Sequence, residues 1–372
     1  QEIRQAQRSN SQGNACPAPT VDMEVPAEMK AWRVHAYGQA GNPGDTIDKM
    51  TLDTVPVPEP KKGQVLIKVQ LAAVNPIDWK LFSGGLHGIC PVTFPYVPGF
   101  DVAGVVAKVG EGVTDLAVGD EICVDIGLCE TCCNDSPAGP AGAFAEYAVA
   151  LADTVAKRGG LSTTELVGLP LAGLTSYQAL FTGAGRDFTG AELGTLAAGH
   201  KLLVLGGAAA TGGIAIQIAK AVGAHVATTA STNKCPDGMS KMDYMKKLGA
   251  DEVINYKEAD WSDVLAGQDY DQIYDCVGTP EDWTKASKVL KKGGVFVSIA
   301  NFGDAKSTED HFFKNFLLKS NTEDLNKLVQ FVKEGKLKVP VDSIVPFTEV
   351  PAVLKKSMDW ASAGKLVVKV SD

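Results

Sequence analysis

The sequence predicts an α/β protein: a doubly wound parallel sheet joined to a β-rich, partly barrel-like module. Three observations carry this. Beyond about residue 200, short apolar strands alternate with helices of roughly ten residues. From Lys30 to about Val149, short alternating runs are instead broken by Gly and Pro. Where the strand–helix alternation starts, a strand runs into a glycine-rich turn and then a helix, Leu205-Gly206-Gly207-Ala208-Ala209-Ala210-Thr211-Gly212-Gly213-Ile214.

The elements follow in order. Residues 1–29 are polar and irregular, and regular patterning starts at Lys30-Ala31-Trp32-Arg33-Val34. Strands are expected at Val65–Val69, Asp101–Val109 and Phe144–Val149, with turns at Pro56–Pro60 and Gly110-Glu111-Gly112. Leu166–Leu180 is helix-compatible. Then come strand Lys201–Leu205, helix Gly212–Val222, strand His225–Ala230, helix Met239–Leu248 and strand Glu252–Tyr256. Strand Tyr270–Val277, helix Glu281–Leu290 and strand Gly294–Ala300 continue the alternation. A less regular stretch follows Asn301, then helix Asp324–Lys333 and a last strand, Lys365–Val370.

Composition excludes several classes. The chain has 372 residues, 45% of them hydrophobic and 21% charged, enough for one large or two ordinary domains. Its formal charge of −9 and the scatter of its lysines, as in the isolated pairs Lys61-Lys62 and Lys291-Lys292, argue against nucleic-acid binding. No apolar run approaches the ~20 residues that a membrane span needs. Eight cysteines in so long a chain are not needed as a disulfide scaffold and read as free thiols of a reducing compartment. The sequence starts at Gln1. Removal of a transit peptide or a cloning choice accounts for that, so the expected location is an organelle, plastid or mitochondrion, or else the cytoplasm.

The glycine turn has a physical purpose. Without Cβ atoms the backbone N–H groups can approach a pyrophosphate, and the following helix directs its partial positive charge at it. Gly207, Ala209 and Gly212 fall on the GxGxxG spacing, with Ala at the middle position, where a methyl group and a restricted φ are added. At the end of the second strand, NAD enzymes place a carboxylate for the ribose hydroxyl. Here that stretch reads Thr228-Thr229-Ala230-Ser231-Thr232-Asn233-Lys234, with no carboxylate to repel a 2′-phosphate and with groups able to bind one. NADPH is therefore the expected cofactor. The competing reading of Lys234 is an ordinary surface lysine.

No metal is expected. The five histidines are scattered, and no His-x-x-x-His motif occurs. Cys123, Cys129, Cys132 and Cys133 include a Cys-x-x-Cys half-site, but no second well-spaced pair completes it, so loop thiols are the expectation.

Several stretches resemble the medium-chain dehydrogenase/reductase superfamily from Lys30 to Asp372. They include Val74-Asn75-Pro76-Ile77-Asp78-Trp79-Lys80, Val97-Pro98-Gly99-Phe100-Asp101-Val102-Ala103-Gly104 and Leu169-Pro170-Leu171-Ala172-Gly173-Leu174-Thr175. The glycine turn, Leu248-Gly249-Ala250-Asp251, Asp275-Cys276-Val277-Gly278 and Gly364-Lys365-Leu366-Val367 extend the match. Asn75, Phe100 and Ala172 stand where zinc alcohol dehydrogenases of that superfamily hold their catalytic ligands, so the chain is similar to the zinc-free branch of quinone oxidoreductases, 2-alkenal reductases and enone reductases. The resemblance implies a GroES-like catalytic domain formed by residues 30–160 and 306–372, and a Rossmann nucleotide-binding domain at 161–305. It also implies Asn75, Lys80 and Thr175 near nicotinamide and substrate, Gly206, Gly207, Ala209 and Gly212 under the pyrophosphate, and Ser231, Lys234 and Tyr256 facing the 2′-phosphate.

Without zinc to polarise a carbonyl, alcohol oxidation loses its Lewis acid. Hydride transfer to an activated C=C bond or a quinone needs less help, and the protein chiefly positions the two reactants. Lys80, a ribose hydroxyl or water is the expected proton source, ahead of Tyr177, whose simpler reading is a core aromatic. The substrate is thus expected to be a small enone, alkenal or quinone, and a homodimer is the default assembly. A different class of function also follows from the altered turn and the N-terminal extension: an accessory subunit of a larger assembly that keeps the fold with weakened catalysis.

Overall fold

A computed structural model of the chain describes residues 23–38, 43–87, 90–127, 142–182, 186–187, 196–235, 237–301, 303, 305–360, 362 and 364–372. Residues 1–22 and the three cysteines Cys129, Cys132 and Cys133 lie outside the described residues. Among the described residues the strands form two seven-stranded sheets and a two-stranded ribbon.

One sheet is parallel but for its edge. Its order across the sheet is Glu252–Asn255, His225–Ala230, Lys201–Leu205, Tyr270–Asp275, Leu290–Ser298 and Phe312–Leu317, with the short Arg186–Asp187 added antiparallel. In chain order that is third, second, first, fourth, fifth, sixth. The strand order reverses between Lys201–Leu205 and Tyr270–Asp275, and the crevice beyond their carboxyl ends is where such sheets bind ligands. Lys201–Leu205 reads as an unbroken apolar run because both its faces are covered. Leu202 and Val204 join the core that holds Ile214, Ile216 and Ile218, while Leu203 and Leu205 join Ile273, Phe296 and Phe313 on the other side.

The strand Phe312–Leu317 falls within the stretch that read as irregular, and it carries the parallel sheet past the division expected at residue 305. Phe-Phe-Lys-Asn-Phe-Leu breaks both strand templates, since Lys314 and Asn315 are buried polar residues in a strand.

The other sheet is mostly antiparallel. Gln64–Ala73 and Asp101–Val109 pair along most of their length, flanked by Glu121–Asp125, Val155–Lys157 and Tyr147–Leu151. The final strand Lys365–Lys369 adds to the free edge of Gln64–Ala73 and pairs in parallel with Val341–Pro346. The carboxyl end of the chain is thereby built into a sheet begun some three hundred residues earlier, with Val367 opposite Ala73.

The expected helix over Leu166–Leu180 is two helices, Thr163–Leu166 and Pro170–Tyr177, followed by a π turn at Gln178–Thr182. Pro170 lacks an N–H and starts the second helix at its first position, so no continuous helix can pass it. The expected Met239–Leu248 helix is Lys241–Lys247, capped by the Ser240 hydroxyl, which accepts the Asp243 N–H at 3.0 Å.

Candidate active site at the junction of the two sheets

The phosphate turn is shaped by what cannot be there. Gly206 has φ +82, a left-handed conformation that disfavours side chains. A Cβ on Gly207 would lie 2.2 Å from Thr228 Oγ1, and one on Gly212 would lie 2.4 Å from Gly206 O and 2.8 Å from Gly207 Cα. Only the missing Cβ atoms let the helix Ala210–Ala221 approach the end of the first strand this closely. Ala209 is the N-cap of that helix, with φ −67 and ψ 155, and is exposed. Any L residue adopts that backbone, so alanine leaves the turn unstrained. The Thr229 hydroxyl accepts the Gly206 N–H at 3.0 Å, fixing the turn to the second strand. The glycine cradle and the N-terminus of a twelve-residue helix fit a pyrophosphate.

Across the crevice, Asp275 ends the fourth strand. Its Oδ1 accepts the N–H groups of Val277 and Gly278 at 2.9 and 3.0 Å, and its Oδ2 accepts the Ser298 hydroxyl at 2.7 Å. This buried carboxylate shapes the loop whose Val277 Cγ2 stands 2.8 Å from a Cβ placed on Gly206.

The adenosine end is formed by neighbouring strand ends, with Ala230 opposite Asn255. Ser231 follows one strand and is buried; Tyr256 follows the other and is 56% exposed. Lys234 is exposed, and its backbone bridges to Ser240. Lys257, not singled out from the sequence, is exposed beside them, its Nζ 3.4 Å from Asn233 Oδ1. Its signal was its place directly after Tyr256 at the end of the third strand.

In the antiparallel sheet, Asn75 caps the helix Pro76–Phe82. Its backbone N–H is held by Asp78 Oδ2 at 2.7 Å. Its carboxamide is committed on both ends: Nδ2 donates to Asp101 Oδ2 at 2.9 Å, and Oδ1 accepts Lys365 Nζ at 2.6 Å. Asp101 and Lys365 were quoted in matching stretches but not singled out for a role. Residues so far apart in sequence leave no local pattern.

The junction is rich in buried carboxyls. Burial raises the Asp78 pKa well above the ordinary carboxylate value, against the pull of the Asn75 N–H and Lys365. Burial, with the neighbouring Asp101, pushes Asp125 up to about 7. Asp125 accepts the Ser320 hydroxyl, tying the antiparallel sheet to the segment that follows strand Phe312–Leu317.

Thr175 sits in the helix Pro170–Tyr177, its hydroxyl returned to Leu171 O at 2.7 Å. Asn75 and Thr175 are brought together through Asp101, which accepts the Leu171 N–H. Lys80 lies elsewhere on its helix, its ammonium 5.7 Å from the ring centres of both Trp79 and Trp360. Burial lowers its pKa. Tyr177 packs against Phe181, ring centres 5.1 Å apart. In the loop from Phe82 to Tyr96, Ser83, Gly84 and His87 line a cavity of about 270 Å³ with Tyr37 and Gly38, which shares no residue with the glycine turn.

The positions expected of zinc ligands do not fit a catalytic zinc. Phe100 and Ala172 are buried hydrocarbon with no donor atom, and the Asn75 carboxamide is already spent. Cys123 lies in the strand Glu121–Asp125, where burial pushes its thiol up to about 12.

An alcohol dehydrogenase GroES-like domain model matches residues 61–159, and a zinc-binding dehydrogenase model matches residues 248–368. The chain is 37% identical over 344 residues to the 2-methylene-furan-3-one reductase of Solanum lycopersicum, across 91% of this chain and 78% of that protein. This chain belongs to the medium-chain dehydrogenase/reductase superfamily, in its quinone and enone reductase branch. It is a pyridine-nucleotide-dependent oxidoreductase, with a GroES-like domain and a Rossmann sheet. A second relative is the NADPH-dependent alkenal/one oxidoreductase, chloroplastic, of Arabidopsis thaliana, 35% identical across 91% of this chain and 78% of that protein. The quinone oxidoreductase of Coxiella burnetii shares the fold with a TM-score of 0.73 and 29% identity, across 92% of this chain and all of that one.

Proposed function

We propose that this chain is an NADPH-dependent reductase of activated carbon–carbon double bonds, in enones or alkenals, or of quinones. The observation that carries the cofactor choice is the adenosine end of the crevice. Residues 228–234 contain no carboxylate, and Ser231, Lys234, Tyr256 and Lys257 gather there instead. A ribose hydroxyl would want an acidic partner; a 2′-phosphate wants cations and hydroxyls. The reductase and oxidoreductase names of the two plant relatives and the Coxiella protein support the substrate class.

NADPH, when bound, supplies a hydride; everything else is the work of the chain. Gly206, Gly207 and Gly212 let the backbone close on the pyrophosphate, and the helix Ala210–Ala221 faces it with free N–H groups. Thr175 and Asn75 line the nicotinamide and substrate end. Lys80, with its lowered pKa, gives up a proton more readily than an exposed lysine and is one donor for the enolate oxygen; a ribose hydroxyl or water is the other. The catalytic lobe takes both ends of the chain and the nucleotide lobe its middle. The chloroplastic relative supports a plastid location.

The test is binding of NADPH against NADH to the purified chain, read by nicotinamide fluorescence, followed by oxidation on adding a small enone or a benzoquinone. Preferential NADPH binding with turnover supports the reading, and the faster substrate names the activity. Binding of neither nucleotide would transfer support to the accessory-subunit reading.

A further inference from the structure

Lys365 Nζ and Asp101 Oδ2 form an ion pair 3.0 Å long between side chains only 2% and 0% exposed. A buried pair of this kind persists only when its remaining donors and acceptors are used. Here they are used on three distant elements. Lys365 holds Asn75 Oδ1, and Asn75 Nδ2 returns to Asp101 Oδ2. The other carboxylate oxygen, Asp101 Oδ1, accepts the backbone N–H of Leu171 at 2.7 Å.

Leu171 belongs to the first turn of the helix Pro170–Tyr177. Its N–H is one of the donors that a helix start leaves open, and a charged acceptor on it makes a short, strong bond. The carbonyl of the same residue accepts the Thr175 hydroxyl at 2.7 Å. One position on, Ser176 Oγ lies 2.9 Å from Thr211 O, in the first turn of the phosphate-binding helix. Hydrogen bonds lead from the ion pair through Leu171 to Thr175, and the helix backbone carries on to Ser176, whose hydroxyl lies 2.9 Å from both Ala172 O and Thr211 O.

We propose that Lys365 and Asp101 are positioning residues for hydride transfer, fixing Leu171 and through it Thr175 and the phosphate-binding helix relative to the catalytic lobe. The proposal rests on the reductase reading above. Both residues act through others: the pair anchors a helix, and the helix carries the group expected beside the nicotinamide. A shift of about 1 Å in such an anchor, remote from the chemistry, can cost as much as ~100-fold in rate.

The experiment compares the full chain with Asp101→Asn and with Asp101→Asn/Lys365→Met, using NADPH deuterated at nicotinamide C4, each diastereomer in turn, and 3-buten-2-one. In both variants the single-turnover rate of hydride transfer should fall about 10–100-fold, with the deuterium isotope effect on kcat rising and the NADPH Kd moving less than about threefold. The double variant leaves no unpaired buried charge, so it supplies the readout if the single variant fails to fold. A merely structural pair would lower Tm and leave the single-turnover rate and isotope effect of the folded enzyme at wild-type values; that result overturns the proposal. Absence of turnover in the wild type would instead remove the reductase reading beneath it.

Discussion

The glycine turn and the buried junction around Asp101 are both polar sites, and they are built on opposite principles. At the turn, function comes from removing side chains: a Cβ on Gly212 would strike backbone at 2.4 Å. At the junction, order comes from side chains that satisfy one another: Lys365, Asp101 and Asn75 share hydrogen bonds out of reach of water. The turn should therefore fail when atoms are added, and the junction when a charge is left alone.

Lys365→Met by itself should produce the largest effect. It strands Asp101 as an uncompensated buried carboxylate, and denaturant unfolding should register about 3–5 kcal/mol of lost stability. The double Asp101→Asn/Lys365→Met should recover much of that, and equal losses in the two would break the contrast. At the turn, Gly212→Val should weaken NADPH binding about 100-fold by fluorescence titration while global stability falls less than in Lys365→Met, because the clash is with the backbone that must approach the phosphates.

Charge on the cofactor side is predicted to matter less. Lys234→Ala should raise the NADPH Kd about tenfold and leave the NADH Kd in place, since an exposed cation–phosphate contact is worth about 1–2 kcal/mol. If Lys257→Ala shows the larger change, the 2′-phosphate sits nearer the end of the third strand.

The junction also has a pH signature. Burial pushes Asp125 up to about 7 in the folded chain, against ~3.9 when unfolded, so the native state binds more protons between those values. Its contribution is fully present below the unfolded pKa and is lost as pH rises through the folded one. The Tm of Asp125→Asn should fall less than that of the wild type between pH 4 and 7, and parallel curves would show that this carboxyl carries no such linkage. The smallest expected effect is Ala209→Gly. With Ala209 already in extended backbone and exposed, the NADPH Kd should move less than about threefold.

The same contrast explains what was legible. The turn is local: strand, glycines and helix lie within residues 201–221, and its apolar strand and small-residue helix have their own periods. The alanine at its middle position read as a restriction on φ from the sequence, and Ala209 adopts a backbone conformation open to any L residue. Strand Asp101–Val109 matched its expected bounds, because Gly99 and Gly110 bracket a mostly apolar run. Strand Phe312–Leu317 did not show, because the pattern rule assumes polar residues face water and Lys314 is buried.

By itself, then, the sequence determined the fold class, the glycine turn between strand and helix, the absence of a carboxylate over residues 228–234 and the donor-free side chains of Phe100 and Ala172. Each of these is a statement about neighbouring residues or about which atoms a side chain possesses. Only the tertiary structure decided that Asn75 spends its carboxamide on Asp101 and Lys365, that Asp101 holds the helix bearing Thr175, and that Lys80 rests between two indoles. Those partners meet because the last strand returns to the edge of Gln64–Ala73. A hydrogen bond between residues nearly three hundred positions apart is set by that closure, and no local periodicity encodes it.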